Sequence, residues 1–218
     1  MIRGAIFDID GVILDSMSIW NELGGRYLNS LGIEPEYNLS RILFPMTMHE
    51  SASYLKCKYG IPKSEDEIKR EIGALLKDFY FYEARAKEGA AKLLSRLGDM
   101  KIPAAAATSS PRTLVTAALE RLDLLKYFRL LLTTDELNTT KHSPDIYLAA
   151  AKEIDREPHE TAVFEDAYFA VVSAKSAGFV TVWICEESRA AEETAICDKA
   201  DCHIMSLCGG IKLFEEGY

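Results

Sequence analysis

No stretch of this chain approaches the roughly 18 consecutive apolar residues of a membrane-spanning helix, so no membrane partner is expected. An apolar signal core is missing too, because Asp8, Asp10 and Asp15 interrupt the N-terminal segment; the expected location is cytoplasmic. Positive charge is in short supply: 25 Lys and Arg stand against 34 Asp and Glu, for a net charge of -9. With no polybasic run, neither nucleic acid nor an anionic lipid surface is an expected partner. There is no CxxC pair. The five cysteines (Cys57, Cys185, Cys197, Cys202 and Cys208) are odd in number and read as reduced thiols. Cys197, Cys202, His203 and Cys208 are read as buried apolar positions of the last strand and helix rather than as a zinc site. Internal repeats and low-complexity linkers are also absent. The 218 residues are enough for one well-buried core and a smaller accessory unit.

What is present is an alternation of short apolar runs with helical segments. Ala5-Ile6-Phe7 reads as a buried strand closed by the turn sequence Asp8-Ile9-Asp10-Gly11. Trp20, Leu23, Tyr27, Leu28 and Leu31 then recur at helical spacing up to Gly32. Helix-favouring polar sequence continues to about residue 85, with breaks at Pro45 and at Gly60-Ile61-Pro62. Phe79, Tyr80, Phe81 and Tyr82 form an aromatic hinge at its end.

From Lys87 onward the pattern becomes regular. Ala91, Leu93, Leu94 and Leu97 mark a helix, and residues 102–107 a strand of small side chains. Ser110-Pro111 and Ser143-Pro144 are expected to supply a capping serine followed by proline at the first helical position. Further strands are expected at Leu130–Leu132, Ala162–Phe164, Val180–Ile184 and His203–Met205. Strands alternating with helices predict an α/β fold, a doubly wound parallel sheet with a Rossmann-like core. Residues 1–15 and 86–218 are assigned to this catalytic core, and 16–85 to an inserted α-helical cap.

Ligands of an open parallel sheet bind at the carboxyl ends of its strands. Asp8 and Asp10 follow the first strand, Thr108 and Ser109 the small-residue strand, Lys141 the Leu130–Leu132 strand, and Glu165 and Asp166 the Ala162–Phe164 strand. Crowded carboxylates repel unless a cation sits among them, and oxygen ligands beside a substrate phosphate select Mg2+. One such acid can attack phosphorus, and another can shuttle the proton. Lys141, Thr108 and the backbone N–H groups around Gly11 and Ser109 would then receive the phosphoryl oxygens.

These residues also carry a family resemblance. Phe7-Asp8-Ile9-Asp10-Gly11-Val12 resembles the first motif of the haloacid dehalogenase superfamily. Thr108-Ser109 is similar to the second motif, Lys141 to the third, and Phe164-Glu165-Asp166 with Ala177-Gly178 to the fourth. The resemblance implies Asp8 as nucleophile and Asp10 as acid and base. It implies Mg2+ held by the Asp8 carboxylate, the Asp10 carbonyl and Asp166, with Glu165 either a ligand or a partner to one. Dehalogenase members lack the second aspartate and need no metal, so Asp10 favours phosphate chemistry. Three departures stand out: Thr140-Lys141-His142 where Gly-Lys-Pro is common, Ala167 for serine, and Ala170 for glycine.

The expected function is Mg2+-dependent phosphatase action on a small phosphorylated metabolite, by a monomer or weak homo-oligomer. The alternatives are a sugar phosphomutase of the beta-phosphoglucomutase type and an idle binding protein on the same scaffold. A mutase needs a second cation in its cap. Alignment instead puts Pro45, Met48 and Trp20 at the glycine, arginine and histidine of mutase-like relatives, with Arg41 and His49 nearby. Arg112 is read either as a surface residue or as a group reaching the substrate mouth.

Overall fold

A computed structural model describes residues 1–43, 46, 48–185 and 199–215. Pro45 and Cys197, which figured in the expectations above, lie outside them. The chain divides into two compact units, one of residues 1–15 and 85–218, the other of residues 16–84.

The larger unit is built on six parallel strands: β1 (Gly4–Phe7), β4 (Ala104–Thr108), β5 (Phe128–Thr133), β6 (Thr161–Glu165), β7 (Val180–Ile184) and β8 (Cys202–Ile204). Their order across the sheet is β5-β4-β1-β6-β7-β8. The chain therefore winds outward in both directions from β1, which pairs with β4 on one side and β6 on the other. That reversal opens a crevice beyond the carboxyl ends of β1, β4 and β6.

Side chains alternate between the faces of the sheet. Ile6 and Val163 pack on one face with Ala105 and Ala107, against helices α7 (Asp145–Glu153) and α8 (Tyr168–Ser176). Alanines at the centre of β4 let α7 approach closely, through Ile146, Tyr147, Ala150 and Ala151. The next residues, Phe7 and Phe164, stack at 4.5 Å, and Phe164 is 6.2 Å from the ring of Phe214 in α9 (Leu207–Glu215). Each fully buried side chain of this size contributes about 1.5–3 kcal/mol.

A short antiparallel strand pair of this unit was not expected. Leu14–Asp15 (β2) pairs antiparallel with Arg85–Ala86 (β3), where the chain leaves and re-enters the unit. Helix α5 (Ala90–Asp99) buries Ala90, Leu93, Leu94 and Leu97, whereas Ala91 is exposed.

The proline signals act one position later than predicted. Helix α6 (Arg112–Arg121) starts after Pro111, and α7 after Pro144, so each proline takes the capping position. The two serines bond elsewhere: Ser110 to Asp10, and Ser143 to Asp145. The cysteines are also less buried than expected. Cys202 on the edge strand β8 is half-buried, and Cys208 on α9 is exposed.

The smaller unit is helical: α1 (Met17–Ser30), α2 (Leu39–Leu43), α3 (Met48–Tyr59) and α4 (Glu65–Asp78), ending in a π-helical turn over Phe79–Glu83. Gly60, with φ 63°, follows α3. A capping box starts α4. Ser64 Oγ accepts from the Glu67 N–H at 3.3 Å, and the Ser64 N–H donates to Glu67 Oε2 at 2.8 Å. Ile68, Ile72 and Leu76, four residues apart, bury its inner face. The aromatic run divides: Phe79 and Tyr80 are buried, and Tyr82 is exposed.

Candidate active site

The carboxylates converge because the strands that carry them are neighbours. Register aligns Phe7 with Phe164 across β1 and β6, so the residues that follow, Asp8 and Glu165, emerge side by side. The Asp8 N–H donates to the Phe164 carbonyl at 3.0 Å, which extends the ladder to the site. Asp8 and Glu165 are both buried. Lys141 is delivered by the loop ahead of α7 and is only 5% exposed. Its Nζ lies 2.5 Å from Asp8 Oδ1 and 2.7 Å from Glu165 Oε1.

Glu165 Oε1 accepts a second hydrogen bond, from the hydroxyl of Tyr147 at 2.7 Å. Glu165 Oε2 is buried and has no hydrogen-bond partner among the described residues. Asp166 is partly exposed, and its carbonyl accepts from the indole N–H of Trp183 at 3.2 Å. One carboxylate oxygen from each of Asp8, Glu165 and Asp166 lies within 4.8 Å of the others. Among the described residues, Lys141 is paired with two of these three acids, Asp8 and Glu165.

Burial, then Glu165, Asp166 and Asp10, push the Asp8 carboxyl well above its ordinary value, with Lys141 opposing them. Burial also works against the Lys141 charge, but Asp8 and Glu165 outweigh it and raise the ammonium, so Lys141 stays protonated. Burial and Glu165 raise the Tyr147 phenol, which stays neutral and able to donate. All-oxygen donors in a three-carboxylate cluster, with one carboxylate oxygen unpartnered among the described residues, fit a hard divalent cation.

Asp10 lies outside this carboxylate group. It forms a bridge with Leu14 in the turn after β1, and its Oδ2 accepts from Ser110 Oγ at 2.6 Å. Gly11, at φ 78°, makes that turn possible, since a side chain there is strained. The Gly11 N–H donates to the Leu14 carbonyl at 2.9 Å. The turn itself thus engages the N–H of Gly11, while Gly11 places the neighbouring backbone at the end of β1.

Thr108 is fully buried at the end of β4, and its Oγ1 accepts from the Ser110 N–H at 3.0 Å. Among the described residues its hydroxyl hydrogen has no acceptor and is left to donate. Ser109 between them is exposed. Arg112 is turned to a different task, as its guanidinium donates to Glu136 Oε2 at 2.6 Å and to the Leu131 carbonyl at 2.5 Å. His142 is exposed and stacks on Phe169 at 4.4 Å.

Three contributors were missed in the sequence. The sequence reading gives Ser110 a capping role, places Trp183 within a strand, and singles out no role for Tyr147. Only the placement of Ser110 two residues beyond Thr108 signalled its role.

Several proteins resemble this chain in sequence or structure. A "Phosphorylated carbohydrates phosphatase" of Thermotoga maritima is 29% identical over 182 residues, covering 84% of both chains. A "Validoxylamine A 7'-phosphate phosphatase" of Streptomyces hygroscopicus subsp. limoneus is 30% identical over 183 residues, covering 84% of this chain and 85% of that one. Among solved structures, a Thermotoga maritima protein described as a candidate beta-phosphoglucomutase superposes over 100% of both chains, with a TM-score of 0.86 and 25% identity. Residues 2–178 match the haloacid dehalogenase-like hydrolases as a family. The six-stranded parallel sheet, the acids at the ends of β1 and β6 and that match together make this chain a haloacid dehalogenase-like hydrolase.

Proposed function

We propose that the protein is a Mg2+-dependent phosphatase of a small phosphorylated metabolite, with Asp8 as nucleophile and Asp10 as general acid and base. The observation that carries this reading is the cluster of buried Asp8 and Glu165 with partly exposed Asp166, and Lys141 clamped on Asp8. The names of the two phosphatase relatives support it.

Asp8, Glu165, Asp166 and the Asp10 carbonyl would hold the ion. When bound, Mg2+ supplies positive charge that draws the substrate phosphoryl group toward carboxylates that otherwise repel it. Lys141 and the Thr108 hydroxyl neutralise and orient the phosphoryl oxygens, together with the backbone N–H of Ser109. A carboxylate oxygen of Asp8 attacks phosphorus, the bond to the leaving oxygen breaks, and Asp10 gives that oxygen its proton. The product is an aspartyl-phosphate and a free alcohol. Asp10, now ionised, takes a proton from water, whose oxygen attacks the same phosphorus; the phosphorus–oxygen bond to Asp8 breaks, freeing inorganic phosphate and the Asp8 carboxylate. The Ser110 hydroxyl holds Asp10 Oδ2 throughout.

A sugar phosphomutase is the second reading, favoured by the description of the Thermotoga structure. It requires a cation for a second phosphate. In the helical unit His49 pairs with Glu65 at 3.6 Å, and Met48 stands where an arginine would serve. Incubation with beta-glucose 1-phosphate and a bisphosphate activator separates the two readings. Free phosphate should accumulate faster than glucose 6-phosphate; the reverse assigns the mutase class. A phosphate-release screen over sugar, polyol and nucleotide phosphates then identifies the substrate.

A further inference from the structure

The Tyr147 ring lies in the apolar core between β4 and α7, fully buried, 6.3 Å from the Phe179 ring in an edge-on arrangement. Phenylalanine would fill that space equally well. The hydroxyl is therefore the feature to explain, and it donates to Glu165 Oε1 at 2.7 Å.

Glu165 Oε1 thus takes two donors from different places, Lys141 Nζ and Tyr147 Oη, both at 2.7 Å. The two are unequal as restraints. Lys141 has a flexible four-carbon stem, and its ammonium is shared with Asp8 Oδ1. The phenol is rigid, and its ring is locked by the core around it. With Oε1 fixed, the carboxylate cannot rotate freely, and Oε2 remains buried without a hydrogen-bond partner among the described residues. Glu165 is also one of the three acids whose oxygens lie within 4.8 Å of each other.

We propose that Tyr147 is a positioning residue whose hydroxyl holds the Glu165 carboxylate by one oxygen and thereby presents the other to a divalent cation. This rests on the reading that Asp8, Glu165 and Asp166 bind Mg2+. Fixing a ligand's second hydrogen-bonding atom preorganises the ion site before the ion arrives.

The test is calorimetric titration of the full chain with Mg2+, without substrate. Tyr147→Phe should weaken binding about tenfold or more, the usual cost of losing such a supporting bond. Circular dichroism and the metal-free thermal midpoint should stay near wild type, since the ring still packs. In a Glu165→Gln background the same Tyr147→Phe change should alter affinity by less than about twofold, because the carboxylate it orients is gone. Unchanged Mg2+ affinity in Tyr147→Phe overturns the inference. So does an equal loss in both backgrounds, which marks a packing effect. A wild-type chain that binds no Mg2+ overturns the metal reading itself, and the inference with it.

Discussion

Lys141 Nζ stands 2.5 Å from Asp8 Oδ1 and 2.7 Å from Glu165 Oε1, so a single buried ammonium ties the end of β1 to the end of β6. Removing one partner from a buried ion cluster strands the others in a low-dielectric interior. Lys141→Ala should therefore cost about 3–5 kcal/mol of metal-free stability. Phosphate release should fall about a hundredfold or more, as when an electrostatic transition-state donor is lost. Urea unfolding with and without Mg2+ reads the first effect, and added Mg2+ should return part of it. A variant as stable as wild type would show that the ammonium does not offset the acids.

Chelation should abolish phosphate release, and Mg2+ should restore it. Asp166→Ala should raise the Mg2+ requirement steeply, because it removes one of three acids whose oxygens cluster within 4.8 Å. Full turnover in excess EDTA contradicts the metal reading.

Four of the expected site residues could be located from the strand pattern: Asp8 directly follows β1, Glu165 and Asp166 sit at the end of β6, and Lys141 lies in the loop beyond β5. Burial on both faces of a parallel sheet makes such strands read as unbroken apolar runs, and the first polar residues mark the carboxyl edge. Tyr147 was illegible for the complementary reason. It sits at core spacing on α7 beside Ile146, and only the three-dimensional approach of Glu165 gives its hydroxyl a task. The pair β2–β3 escaped because two-residue strands show no periodicity. The helical unit was readable as helices but not in its contacts. Pairs such as Tyr27 with Glu71 or Tyr54 with Glu36 join residues 44 and 18 apart, with no local signal.

Arg112 should prove dispensable for turnover. Its guanidinium hydrogen bond is the first cause holding Glu136 down to about 2. A carboxyl depressed in the folded state binds fewer protons there than in the unfolded chain. The pair's stabilisation is thus present above the ordinary glutamate value near 4.5 and is lost as pH falls toward about 2. Both side chains are more than two-fifths exposed, so solvent screening limits the contribution to about 1 kcal/mol at most. Arg112→Ala should flatten the acid limb of the stability profile and leave phosphate release near wild type. A large rise in KM would instead make Arg112 a substrate ligand.

Gly89 is a packing constraint against α9. It adopts φ 86°, and a Cβ there would lie 2.6 Å from the Cys208 backbone nitrogen and 2.8 Å from its Sγ. Gly89→Ala should destabilise the fold by roughly 1–3 kcal/mol through backbone strain and displacement of α9. Thermal unfolding reads the loss, and kcat of the folded fraction should be unchanged. A midpoint equal to wild type would mean that α9 yields freely.

The central claim is that Asp8 attacks phosphorus, and Asp8→Asn tests it most directly. An amide cannot replace the carboxylate nucleophile, while the change removes one member of a mutually repelling group and leaves Lys141 its bond to Glu165. The variant should fold, as judged by circular dichroism, and release phosphate from p-nitrophenyl phosphate with saturating Mg2+ at no more than a trace of the wild-type rate. A folded Asp8→Asn protein that keeps a substantial share of wild-type turnover would contradict the account.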